Sequence, residues 1–184
     1  MSEPIREGRQ LVLVSGPVAS GKTTVALELA RIARGRGQRA AAIDMDSLVE
    51  MVAGNDWTLV QSDHWRLARE LAAAIADRLF ENAVEVVLLA GPFFNPKERE
   101  HLLQRLASLA STCFVMLRVS LPQSLRRAQA DSSRRVLTRD ADFLAKIYAT
   151  IDWAALPRQD VDLDTDGRER DDVVAIVAKS VFSG

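Results

Sequence analysis

The chain has 184 residues, 48% of them hydrophobic, with 24 basic against 25 acidic side chains and a formal net charge of −1. That composition builds a substantial core and excludes a disordered or collagen-like chain, while the balanced charge removes any general attraction for nucleic acid or anionic lipid. One cysteine forbids an internal disulfide, and the polar start MSEPIREGRQ, with no apolar run approaching about 18 residues anywhere, predicts a soluble cytoplasmic protein without a membrane segment.

The first predicted element is a strand at QLVLVS (10–15). Directly after it, Gly16, Pro17, Val18, Ala19, Ser20, Gly21, Lys22 and Thr23 fit the spacing G-x-x-x-x-G-K-[ST] in full. A helix is predicted over 22–34, with Val25, Leu29 and Ile32 on one face. Strand, loop and helix are the context that this motif requires. Glycines let backbone N–H groups point inward at a phosphate, and the helix start adds the positive end of its dipole. Lys22 then reaches the β- and γ-phosphates, the Thr23 hydroxyl ligates Mg²⁺, and Thr24 touches the α-phosphate. The bland alternative, a glycine-rich turn with an ordinary surface lysine, has both motif and context against it. No N-K-x-D tetrapeptide of the guanine-reading kind occurs, so ATP is the expected triphosphate.

The second strand (39–44) runs into AAAIDMDSLVEMV. In extended chain Asp44 and Asp46 face the same side, just beyond the strand and beside the phosphate loop. A carboxylate there can accept the proton of a substrate hydroxyl attacking the γ-phosphorus, or hold Mg²⁺ through water. The competing reading makes Asp46 or Ser47 the cap of a helix SLVEMVAG, and both hold if one acid caps and the other catalyses. An insertion over about 47–82 follows, with Trp57, His64 and Trp65, and with a helix predicted over 61–81 from Ala68, Leu71, Ala72, Ile75 and Leu79. Trp65 packed in the helix core and Trp57 pinning the loop are the alternatives to a pocket lining. His64 is a weaker base candidate than Asp46.

The third strand (84–90) ends in Ala90-Gly91-Pro92, where motor and transporter ATPases carry an acid. Phe93 and Phe94 either wall a pocket or bury against the next helix, whose start has Asn95 as cap, Pro96 in the first position and Glu98 completing a capping box. His101 reads as an exposed residue of that helix. The fourth strand (112–120) carries Cys113, a core thiol with no supporting histidine, and Ser120 with Gln123 starts a helix near 121–130. Arg126, Arg127, Arg134, Arg135 and Arg139 crowd the segment 126–140. Guanidinium groups on a closing lid stabilise the charge spread over the γ-phosphate oxygens and exclude water; a solvated basic helix face is the alternative for any single one. A short polar strand (160–164), read as an edge, and a helix over 169–182 close the chain. The order β-α-β-α-α-β-α-β-α-α-β-α, with continuously apolar strands, predicts one α/β domain over 1–184, its ligands beyond the carboxyl ends of a parallel sheet.

The phosphate loop, DMDSL and the arginine-bearing segment together resemble the small P-loop kinases related to shikimate and gluconate kinases, most of all chloramphenicol phosphotransferase-like and zeta-toxin-like kinases. Element order extends the likeness over nearly the whole chain, and the phosphate loop is its specific part. The resemblance implies a three-layer P-loop NTPase fold, with a five-stranded parallel sheet flanked by helices and a short lid. In the chloramphenicol enzyme an aspartate followed by Ser-Leu is the proposed base, which Asp46, Ser47 and Leu48 match. It further implies Thr23 with Asp44 around Mg²⁺, and Arg127 and Arg134 as lid arginines. Asp44, Asp46, Trp57, His64, Trp65 and Phe93 would line the acceptor site, and adenine would lie near Thr165, Gly167 and Arg168. The missing acid after the third strand departs from many kinases of this class. The implied activity is ATP- and Mg²⁺-dependent transfer of the γ-phosphate to a hydroxyl of a small molecule: an antibiotic, a sugar-like metabolite or a nucleotide-linked sugar. The rival is a P-loop ATPase or nucleotide-dependent switch acting on a protein partner, against which the missing acid counts. A domain that binds nucleotide without turnover is the third reading, with Ala90 as its supporting feature. The sequence leaves the oligomeric state open.

Overall fold

The computed structural model describes residues 8–108 and 110–182, so the reading of the N-terminal stretch falls largely on residues outside the described ones. The strands are β1 (Gln10–Ser15), β2 (Ala40–Asp44), β3 (Val86–Ala90), β4 (Ser111–Arg118) and β5 (Val161–Asp164). All pair in parallel, in the order β2-β3-β1-β4-β5, so β5 is an edge as its polar sequence predicts. The helices are α1 (Lys22–Gly35), α2 (Met45–Ala53), α3 (Ser62–Glu81), α4 (Pro96–Arg105), α5 (Leu121–Ala130), α6 (Ala141–Ala149) and α7 (Arg170–Phe182). The sequence required two helices between β4 and β5, and the second is α6. Trp57–Leu59 and Leu137–Arg139 form single 3₁₀ turns.

Continuously apolar strands arise because both sheet faces are covered. On one face Val12, Val14, Val86, Leu88 and Leu117 pack with Val25 and Leu29 of α1 and Val174 and Val177 of α7. On the other, Leu11, Leu13, Val87 and Leu89 pack with Met45 of α2, Ala72 and Phe80 of α3 and Leu102 of α4. Successive residues of β1 thus serve opposite layers, and each fully buried Leu or Val contributes on the order of 2 kcal/mol.

Three local expectations are corrected. The buried stripe of α3 runs Ala68, Ala72, Ala76, Phe80, whereas Ile75 is 37% exposed, because the alanines let the helix lie close to its neighbours. Ser120 caps α5, accepting from the Gln123 N–H at 3.4 Å, but the Gln123 side chain turns to Arg126 instead of closing a box. His101 is half-buried, its Nε2 3.2 Å from Glu70. The Asn95–Glu98 capping box of α4 forms as expected. Cys113 packs against the first core layer, and burial pushes its thiol up to about 11. Among the described residues no helix is long and apolar enough to cross a membrane.

Candidate active site

The strand register brings Val14, Ala90 and Asp44 into one row at the carboxyl ends of β1, β3 and β2. Beyond that row the phosphate loop turns over α1. Gly16 sits at φ +153, and a Cβ there would lie 2.4 Å from the Leu117 carbonyl oxygen and 2.5 Å from Ser20 Oγ, so only glycine fits. Gly21, at φ +96, is the N-cap of α1 without any side-chain cap, which leaves the first N–H groups of the helix free for a ligand. Lys22 donates to the Pro17 carbonyl at 2.9 Å. Burial lowers its pKa and the neighbouring Arg134 adds to the effect, while Asp46 and Asp44 oppose it.

The acidic pair is arranged differently from the extended geometry expected for it. Helix α2 begins at Met45, and its cap is Asp44, not Asp46 or Ser47. Asp44 Oδ1 accepts from the Asp46 N–H at 3.0 Å, and Asp44 Oδ2 accepts from the Thr23 hydroxyl at 2.9 Å. With the capping done by its neighbour, the Asp46 carboxylate faces the cavity, where Oδ2 lies 3.9 Å from an Arg135 nitrogen. Burial raises its pKa, with Asp44 and Glu50 adding and Lys22 and Arg135 opposing. Its side chain is 40% exposed at the cavity floor, so the upward shift is a matter of direction and not of large energy.

This cavity, of about 560 Å³, is bounded by the phosphate loop, by Asp44 and Asp46, by Trp57 and Trp65, and by Arg134 and Arg135 of the lid. Trp57 and Trp65 meet edge to face at 6.1 Å. Both alternatives hold for them at once, since each lines the cavity and packs against the core layer. Trp57 Nε1 donates to Glu50 Oε1 at 3.2 Å, which pins its loop. Arg135 Nε donates to the same oxygen at 2.8 Å, a second Arg135 nitrogen does so too, and its guanidinium carbon lies 4.2 Å over the Trp57 ring. The bond from Arg135 holds the Glu50 carboxyl below its ordinary value.

Three expected site residues stand elsewhere. His64 Nδ1 accepts from the Gln61 N–H at 3.1 Å, which makes it part of the α3 start, and it does not line the cavity. Phe93 is fully buried in the core, and its neighbour Phe94 lines the cavity instead. Arg127 turns away from Asp46, donating to Thr165 Oγ1 at 3.0 Å, the Thr165 carbonyl at 2.6 Å and the Ala19 carbonyl at 3.4 Å. There it lines a second cavity of about 430 Å³ with Ser20, Thr165, Gly167 and Arg168, on the other side of the phosphate loop; Thr24 borders both. Arg134 does line the first cavity, with Nε 3.2 Å from Asp131. Sequence reasoning missed Glu50 as a site residue and left Arg135 unselected among five arginines, because their partnership spans 85 positions.

The donor set around Thr23 fits Mg²⁺ shared with a phosphate, an ion that takes one or two carboxylates and keeps the rest of its shell for water and phosphate oxygens. Among the described residues no group of three or more His, Cys, Asp or Glu converges to cage an ion. Asp44 stands beside the position where the third strand lacks its acid, as the register partner of Ala90.

No family model matches the chain, and no curated protein does. Solved structures do match in fold. The APS kinase CysC of Mycobacterium tuberculosis, in complex with AMPPNP and APS, superposes with a TM-score of 0.68 at 20% identity, over 94% of this chain and 96% of that one. The shikimate kinase of Acinetobacter baumannii in complex with shikimate gives 0.63 at 20% identity over 97% and 96%. A gluconokinase of Sinorhizobium meliloti gives 0.61 at 17% over 97% and 92%. The chain has the fold of P-loop kinases, a five-stranded parallel sheet flanked by helices.

Proposed function

We propose that the protein is an ATP- and Mg²⁺-dependent kinase that transfers the γ-phosphate to a hydroxyl of a small molecule. The observation that carries this reading is the carboxylate of Asp46, left out of the helix cap and in one cavity with the phosphate loop and Lys22. The neighbours named for APS, shikimate and gluconate kinases support a small-molecule acceptor in such a cavity.

In this reading the loop from Gly16 to Thr24 holds the triphosphate, and Thr23 with Asp44 would hold Mg²⁺, which supplies neutralisation of phosphate charge when bound. Arg127, Thr165, Gly167 and Arg168 take the nucleoside end in the second cavity. The acceptor lies against Trp57, Trp65 and Phe94. Asp46 takes the proton of its hydroxyl as the new oxygen–phosphorus bond forms and the bond to the β-phosphate oxygen breaks, releasing ADP. Lys22 and Arg134 face the charge that spreads over the transferred group. An antibiotic, a sugar-like metabolite or a nucleotide-linked sugar fits that chemistry.

A thermal-shift screen of hydroxyl-bearing metabolites and antibiotics, with AMP-PNP and Mg²⁺ present, tests the proposal. A true acceptor stabilises by an amount that grows with its concentration above its dissociation constant, and should then be phosphorylated when ATP replaces the analogue. ATP turnover that ignores every small hydroxyl compound yet needs a protein partner would sink the kinase reading.

A further inference from the structure

One oxygen on α2 collects donors from the turn seven residues on and from the segment 85 residues on. Glu50 Oε1 accepts from Trp57 Nε1 at 3.2 Å, from Arg135 Nε at 2.8 Å and from a second Arg135 nitrogen. Arg135 lies over Trp57, with its guanidinium carbon 4.2 Å from the ring centroid, so the indole is bonded at its edge and covered on its face by the same two partners. The remaining Arg135 nitrogen is 3.9 Å from Asp46 Oδ2. The side chains of Glu50 and Arg135 are 30% and 35% exposed, at the cavity rim and not in the core, so the cluster adds little to global stability. What it does is fix geometry: a planar guanidinium held by two nitrogens and a π-face has few other orientations open to it.

We infer that Glu50 is a positioning residue that ties the lid to the acceptor-side turn. Its carboxylate clamps Arg135 onto Trp57, and by holding Arg135 it holds the preceding Arg134 toward the phosphate loop, where Arg134 and Lys22 line one cavity. Glu50 touches neither phosphate nor acceptor in this role; it acts through the two arginines and the indole. The consequence for nucleotide rests on the triphosphate reading given above, whereas the clamp itself does not.

The test uses the full chain carrying Trp65→Phe and Trp153→Phe, which leaves Trp57 as the sole emitter of the three tryptophans. Acrylamide quenching reports how well its face is covered. Glu50→Ala and Arg135→Ala each raise the quenching constant roughly twofold or more, and the double variant raises it no further, because both remove the same cover. Glu50→Gln, which keeps an oxygen for the indole N–H without the charge, falls between. On the same proteins, calorimetry with AMP-PNP and Mg²⁺ shows affinity reduced about tenfold in Glu50→Ala and equally in Arg135→Ala. Should Glu50→Ala fail to fold, Arg135→Ala reads the contact from its other end. Unchanged quenching in the single variants, or additive increases in the double, overturns the clamp. Increased quenching with unchanged AMP-PNP affinity overturns its reach to Arg134. A parent protein that does not bind AMP-PNP removes the triphosphate reading instead, and the quenching series still judges the clamp.

Discussion

The two walls of the cavity are built by opposite means. The phosphate side is backbone: a loop closed so tightly that a single Cβ at Gly16 would meet the Leu117 carbonyl oxygen at 2.4 Å, seated on a helix whose N-cap is a glycine. The side proposed for the acceptor is side chain: Trp57, Glu50 and Arg135 meet at a rim where Glu50 and Arg135 are about one-third exposed, and these two come from positions 85 apart. A backbone wall is fixed by folding and suits a ligand that never changes. A side-chain wall can be rebuilt by substitution without disturbing the sheet, which suits an acceptor that differs between proteins of one fold.

The strongest way to break this contrast is Gly16→Ala. We expect AMP-PNP binding to weaken at least about 100-fold and stability to fall by roughly 2–4 kcal/mol, because the new methyl collides with backbone. Trp57→Ala, on the other wall, should cost no more than about 1 kcal/mol; thermal melts of the two variants side by side check the difference, and equal losses would erase it. Asp46→Asn comes next. Transfer to the acceptor found by screening should drop about 10²–10⁴-fold while the AMP-PNP dissociation constant stays within about threefold, and near-normal transfer would remove Asp46 as base. Arg127→Ala has a smaller effect: it should weaken AMP-PNP about fivefold to tenfold and leave the acceptor KM unchanged, as its place in the second cavity requires.

The smallest effect is in the pH dependence. Burial raises the Asp46 pKa, so the acid limb of kcat/KM should lie above that of an ordinary aspartate and vanish in Asp46→Asn. The sign for stability runs the other way from a salt-bridged acid. Between the ordinary and the raised value the native protein holds a proton that the unfolded chain has lost, so stability declines as pH rises through that window. Asp46→Asn therefore gains slightly in stability at neutral pH relative to the parent, by little because the side chain is 40% exposed. Melting temperatures of both proteins across the acid range measure it.

The same contrast explains what the sequence disclosed. The first strand, the start of α4 and the phosphate loop are written in contiguous residues, so spacing alone finds them: β1, the Asn95–Glu98 box and Gly16 to Thr23 all stand where reading along the chain puts them. The choice between Phe93 and Phe94 is not written that way. The chain leaves β3 through Gly91-Pro92, and strand alternation no longer applies when the Phe93 N–H bonds to Ser15 Oγ at 3.0 Å and its ring enters the core. Likewise no local signal separates Arg135 and Arg127; their directions are set by Glu50 and Thr165, partners 85 and 38 positions away that only the folded chain brings near. Which of Asp44 and Asp46 caps α2 turned on where the strand ends and the helix begins, a boundary of one residue.

That boundary has a chemical consequence. Asp44 divides its two oxygens, one to the helix N–H and one to the Thr23 hydroxyl. Because Thr23 must donate its proton to Asp44, both lone pairs of its oxygen are left pointing away from that bond, available to a cation. An asparagine at 44 could keep the helix cap with its oxygen, but it would then offer an NH₂ to Thr23 and reverse the polarity of the bond, turning the hydroxyl proton outward. The fold would survive and the oxygen would greet a cation with a hydrogen, so the direction of a single proton is what would separate the metal ligand proposed at Thr23 from a mere helix start.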